Sequence, residues 1–262
     1  LLEKGEFVKC EDLETIIFRK METIVGIIPV RYASTRLPGK PLIKICGTEI
    51  VVHVYNMAKK VKEISEVYVA TDDERIRKVC IDNGIQTIMT SEDCASGTDR
   101  ICEAVKKIKA DYIINIQGDE PLFEPGNISK LIEYHKQNDS IDVINVMTEI
   151  HVPSEVNDTS VVKVAFSDND DLIYLSRAAV PGCKNPGKTT YYKHCGIYGL
   201  TKDALYFFES TNKGRIEKCE DIEMFRFLEN GKRVKIIAIE TDSIGVDTPK
   251  DVLLVDEKMK KG

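Results

Sequence analysis

The sequence predicts an α/β protein: a mostly parallel sheet covered by helices on both faces, carrying a smaller β-rich part. Two observations lead there. From Met21 to Gln137 short apolar strands alternate with segments of helical spacing, the pattern that builds parallel sheets. Beyond Gln137 the character changes to strands and turns. The composition agrees, since 262 residues with 42% hydrophobic and 31% charged side chains can bury a core and are too evenly mixed for a disordered chain.

In order, Ile24 to Pro29 reads as a strand, Ile50 to Val61 as a helix and Val67 to Ala70 as a strand. Arg75 to Asn83 is a helix that Gly84 can end in a left-handed cap. Ile85 to Met89 is a strand, Asp99 to Lys109 a helix, Tyr112 to Ile116 a buried strand and Ile128 to Gln137 a helix. Ile141 to Met147, Val161 to Phe166 and Leu172 to Leu175 are expected strands, with Asp168 to Asp171 as the turn between the last two. That acidic run lacks the ligand spacing of a calcium loop. A loop over 180 to 190, an extended Tyr191 to Tyr198, a helix over Ile222 to Glu229 and a strand over Val234 to Ile239 complete the chain. The expected division is a non-catalytic extension over 1–20 and one domain over 21–262, with its β-rich part at about 160–215.

A net charge of −6, with 37 Lys and Arg scattered among 43 Asp and Glu, offers no field for DNA or RNA, so nucleic acid is not an expected partner. No apolar run approaches the roughly 20 residues of a membrane helix, and the first twenty residues lack the features of a secretory signal. The eight cysteines stand apart, without Cys-x-x-Cys pairs, and read as buried thiols of a cytoplasmic protein.

Ligands of open parallel sheets bind beyond the carboxyl ends of strands. Four such places carry chemistry. The loop Pro29 to Lys40 puts Arg31, Arg36 and Lys40 among hydroxyls and a glycine, the make-up of a phosphate cradle, although a solvated basic loop has the same letters. It is not a Walker A loop, because Ser34 stands where the first glycine belongs and Pro41 follows the lysine. Thr71 and Asp72 end a strand and serve equally as a site or as a helix cap. Ser96 to Arg100 opens a helix that can present N–H groups to an anion, with Thr98 as the expected cap. Finally Asp119, in an acidic turn, has the placement of a magnesium ligand. Asp247 is its expected partner, because Thr248, Pro249 and Asp251 are accounted for as the start of a terminal helix and Asp247 is not. A polyphosphate cradle beside two carboxylates that share Mg²⁺ suggests displacement at a nucleotide phosphorus.

These motifs, with Val161-Val-Lys-Val164, Ser176-Arg177, His194 to Gly199 and Gly245 to Pro249, run in order from about Ile24 to the C-terminus and resemble the CMP-KDO synthetases, the 3-deoxy-manno-octulosonate cytidylyltransferases. The resemblance implies a Rossmann-like nucleotide-diphospho-sugar transferase fold and Mg²⁺-dependent transfer of CMP from CTP to the anomeric hydroxyl of a 3-deoxy-2-keto sugar acid, with KDO the expected acceptor, giving CMP-KDO and pyrophosphate for lipopolysaccharide or capsule synthesis. It implies a homodimer formed through the β-rich part. By position it makes Arg31, Lys40, Asp119 and Asp247 catalytic, with Asp119 and Asp247 on the metal. Ser34, Arg36, Thr71, Asp72, Ser96, Arg100 and Gln117 would join Arg31 and Lys40 in holding CTP, and Arg177, His194, Tyr198 and Glu223 would line the acceptor pocket. By the residues alone, His194 and Tyr198 serve equally well as core side chains.

The departures lie at the acceptor end: Met224 replaces the usual glutamine, Leu200-Thr201 replaces Tyr-Arg, and Gly182 stands for an aromatic. Such changes alter which acid a polar pocket accepts. The alternatives are therefore a cytidylyltransferase for amino-KDO, another ulosonic acid or a phosphonate, a glycosyltransferase of similar fold, and a non-catalytic nucleotide-binding module.

Overall fold

A computed structural model describes residues 22–33, 36–138, 140–184 and 189–261. The expected extension over 1–20 and Ser34 lie outside them.

Apolar strands buried on both faces explain the central sheet. Its order is β11 (Lys235–Ala238), β7 (Val143–Glu149), β10 (Tyr192–Thr201), β6 (Tyr112–Asn115), β1 (Ile24–Pro29), β4 (Glu66–Thr71) and β5 (Thr87–Met89). All adjacent pairs are parallel except those of β10, which runs antiparallel to β6 and β7. The mixed, mostly parallel α/β sheet expected from the sequence is thus the fold. Of the β-rich part, β8 (Lys163–Phe166) and β9 (Leu172–Ser176) form an antiparallel hairpin beside β10, whereas β10 itself lies inside the main sheet. A two-stranded ribbon, β2 (Lys44–Ile45) and β3 (Thr48–Glu49), escaped the sequence reading.

Helices cover both faces. One apolar cluster joins the sheet to α1 (Ile50–Ala58), α2 (Glu74–Asp82), α4 (Pro125–Gln137) and α8 (Pro249–Lys261). The other face packs against α3 (Gly97–Val105), α5 (Lys202–Ser210) and α7 (Phe225–Leu228), with α6 (Arg215–Glu220) alongside. Gly84 ends α2 with φ +68°, as expected, and Thr248 and Asp251 bond reciprocally at the start of α8.

Several local expectations are corrected. The helix expected over Ile222 to Glu229 is shortened to α7, Phe225–Leu228, and is preceded by the unanticipated α6, which Asp221 ends in a left-handed conformation (φ +52°). α5, capped by the Thr201 hydroxyl, was not anticipated. The cap of α2 is Asp73, not Thr71 or Asp72, and the cap of α3 is Ser96, not Thr98. Cys80, Cys102 and Cys195 are buried thiols, whereas Cys46 and Cys219 are exposed.

Candidate active site

The sheet order places β1 where the chain's course reverses: β4 and β5 lie on one side of it and β6 on the other. This is the crevice at which open α/β sheets bind ligands. The basic loop leaves β1 there and the Gln117–Glu120 turn leaves β6 beside it. The basic loop is pinned by Tyr32, whose ring lies 3.3 Å under the Arg75 guanidinium and whose carbonyl accepts from Gly39 N–H at 3.0 Å. Gly39 has φ +69°, and a Cβ there would meet the Tyr32 ring at 3.1 Å.

Lys40, delivered by this turn, donates to Asp119 at 2.6 Å and to Asp247 at 3.0 Å. Arg36 pairs with Asp247 at 3.1 Å. The segment carrying Asp247 is docked by Val246 N–H on the Asp119 carbonyl at 2.9 Å. Burial alone would lower the Lys40 pKa, but the two carboxylates outweigh it and the net displacement is upward. Burial, helped by the adjacent Asp119 charge, pushes Glu120 up to about 7. Arg31 has no carboxylate partner among the described residues.

The opposite wall is tied to the start of α3. Asp99 receives the Ser96 hydroxyl at 2.8 Å and one guanidinium nitrogen of Arg226 at 3.4 Å. Arg226 is buried, stacked 3.6 Å over Phe208, and grips Glu217 through two bonds of 3.0 and 2.6 Å. Thr98, also buried, bonds both oxygens of Glu223, one through its N–H at 3.3 Å and one through its hydroxyl. Elsewhere in the site Arg177 donates to the Glu220 and Thr159 carbonyls, leaving its third guanidinium nitrogen unengaged among the described residues. Its own carbonyl is held by Lys163, a buried ammonium that also bonds the carbonyls of Asp158 and Val161. His194 is lowered to about 4 by burial, and its Nε2 is buried without a partner among the described residues.

A cleft of about 480 Å³ joins these groups. It is lined by Arg31, Arg36, Lys40, Asp119 and Asp247, by Ser96, Arg100 and Gln117, and by Arg177, His194, Tyr198 and Glu223. Thr71 and Asp72 do not line it: Thr71 is buried at the end of β4, and Asp72 lies behind Arg100, paired with it at 2.8 Å. The sequence reading missed Lys213, Glu217 and Asp221 on the cleft wall. No local signal marks this stretch as a wall, because α6 is capped from a distance by Glu229, which accepts from Ile216 and Glu217 N–H at 2.8 and 2.9 Å.

Fold and cleft together define a nucleotidyltransferase of the α/β class. Comparison with known proteins narrows this. The cytidylyltransferase family profile matches residues 25–236, and the chain belongs to that family of CTP-dependent enzymes. An 8-amino-3,8-dideoxy-manno-octulosonate cytidylyltransferase of Shewanella halifaxensis (strain HAW-EB4) is 38% identical over 89% of this chain and 97% of its own. The enzyme of that name from Shewanella sp. (strain W3-18-1) is 37% identical over 91% and 99%. Among solved structures, a CMP:2-keto-3-deoxy-manno-octonic acid synthetase complexed with CTP matches with TM-score 0.88 and 35% identity, covering 91% of this chain and 99% of that one.

Proposed function

We propose that the protein transfers CMP from CTP to the anomeric hydroxyl of a 3-deoxy-2-keto octulosonic acid and releases pyrophosphate. One observation carries the reading: a single cleft is lined by the Lys40 cluster of cations and two carboxylates and by Arg177, whose third guanidinium nitrogen has no partner among the described residues. The anomeric oxygen bonds to the α-phosphorus, the bond from that phosphorus to the pyrophosphate oxygen breaks, and the hydroxyl proton is released. Arg31, Arg36 and Lys40 take the triphosphate and stabilise the departing pyrophosphate. Ser96, Arg100 and Gln117 face the nucleoside. Arg177 takes the acceptor carboxylate, with His194, Tyr198 and Glu223 around the sugar hydroxyls.

Magnesium fits the Asp119–Asp247 pair. Asp119 and Asp247 both reach the Lys40 ammonium, which brings hard carboxylate oxygens together where phosphate oxygens would complete a shell. Bound there, the ion would neutralise charge developing on pyrophosphate.

The proposed acceptor is the 8-amino-3,8-dideoxy acid that the curated relatives are named for, supported by 37–38% identity over nearly the whole chain. KDO is the second reading, favoured by the name of the structural relative. A cytoplasmic homodimer feeding lipopolysaccharide or capsule synthesis belongs to the same proposal. The test is pyrophosphate release from CTP and Mg²⁺ with each acid in parallel. Faster release with the 8-amino-3,8-dideoxy sugar acid supports the first reading and faster release with KDO the second. No release with either overturns both.

A further inference from the structure

β10 is not a continuous ladder. Lys193, His194 and Cys195 face Thr148, Met147 and Val146 of β7, and the register resumes with Tyr198 opposite Asn145. Three steps along β10 therefore match one step along β7, which makes Gly196 and Ile197 the extra residues of a bulge. The bulge falls where β10 changes its other neighbour, from β8 at Lys193 to β6 at Tyr198. Its effect is on side-chain spacing. Residues four apart on a regular strand are separated by about 13 Å. The rings of His194 and Tyr198 are instead 5.6 Å apart, and both line the cleft.

A buried asparagine closes the bulge. Asn145 is fully buried in β7, and its Nδ2 donates to the Cys195 carbonyl at 3.0 Å and to the Ile197 carbonyl at 2.9 Å. One amide thus satisfies both carbonyls flanking Gly196. Leucine has the size but no donor, aspartate at neutral pH presents only acceptors, and serine is too short to replace both bonds. Gly196 is required from the other side, because a Cβ there would lie 2.3 Å from Gln117 Cγ.

We propose that Asn145 is a positioning residue for the acceptor pocket: by closing the Gly196–Ile197 bulge it sets the spacing of His194 and Tyr198, and through them the fit of the sugar acid. It touches neither substrate. The inference rests on the acceptor reading above, and the two fail separately, since wild-type turnover tests the reading and the variants test Asn145.

The experiment compares Asn145→Leu and Asn145→Ser with the wild type in the KM of each substrate, kcat, melting temperature and nuclear Overhauser contacts between the His194 and Tyr198 rings. The expected result is a roughly tenfold rise in acceptor KM with the KM for CTP nearly unchanged, the scale of a lost buried hydrogen bond. The ring contacts should weaken in parallel. Unchanged acceptor KM and ring contacts, with only a lower melting temperature, would make Asn145 merely structural and overturn the proposal. Where Asn145→Leu fails to fold, Asn145→Ser is read by the same criteria. If wild-type protein turns over no acid, the ring contacts still decide whether Asn145 spaces the pair.

Discussion

Single residues set the electrostatics of the cleft. Asp247 bonds Arg36 and Lys40 and contributes no side-chain cap to α8, so Asp247→Asn should fold normally, by circular dichroism, and lose most Mg²⁺-dependent turnover. Near-normal activity would remove it from the proposed metal site. His194 gives a pH signature. Its folded-state pKa lies near 4, below the ordinary 6.5, so the neutral form is favoured in the folded protein. Its contribution to stability is complete above about pH 6.5 and falls away as the pH drops towards 4, because the unfolded chain takes up the proton first. Chemical denaturation of His194→Gln across that window should show a flatter pH dependence than the wild type. Equal slopes would show that the imidazole is not desolvated.

At the scale of elements, the start of α3 and the α6–α7 wall act as one unit. Arg226 joins Asp99 of α3 to Glu217 of α6 from a position on α7, and Thr98 holds Glu223 between them. Removing one member of a buried pair strands the other charge, so Arg226→Met should cost about 3–5 kcal/mol in urea unfolding. Adding Glu217→Met should recover a large part of that loss, and a purely additive cost would refute the coupling. The elements also show what was legible beforehand. The strands that open the cleft and the motifs following them were readable because apolar runs and turn chemistry are local. Of the helices beyond Thr201, α7 and α8 were legible and α5 and α6 were not; α6 takes its cap from Glu229 and ends at a left-handed Asp221. Thr98 was read as a cap on the same local logic, and its burial against Glu223, 125 positions away, is a tertiary fact.

For the whole molecule, one sheet carries the cleft, and its order explains why motifs far apart in sequence converge. Asp119 follows β6 and Asp247 follows β11, yet both meet the lysine that follows β1. The candidate acceptor residues could be expected by resemblance, but their joint placement depends on β10 running antiparallel through the sheet. The proposed homodimer would use the hairpin side of this strand, where Ile173 of β9 is 59% exposed. Sedimentation velocity should give a dimer for the wild type and a monomer for Ile173→Glu. A dimer in both would move the interface elsewhere.

The bulge in β10 also governs which changes of length the chain tolerates. Because side chains alternate between faces, an insertion of two residues leaves every flanking residue on its original side of the sheet. Losing one residue between Cys195 and Tyr198 would turn Tyr192 to His194 inside out relative to the rest of the strand. Losing both would keep the parity and leave His194 and Tyr198 two positions apart on the same face of a regular strand, about 7 Å along it, without the bulge between them. Drift in length at this point is therefore confined to even steps, and because Gly196 packs on Gln117 each such step also changes what that cleft side chain rests against.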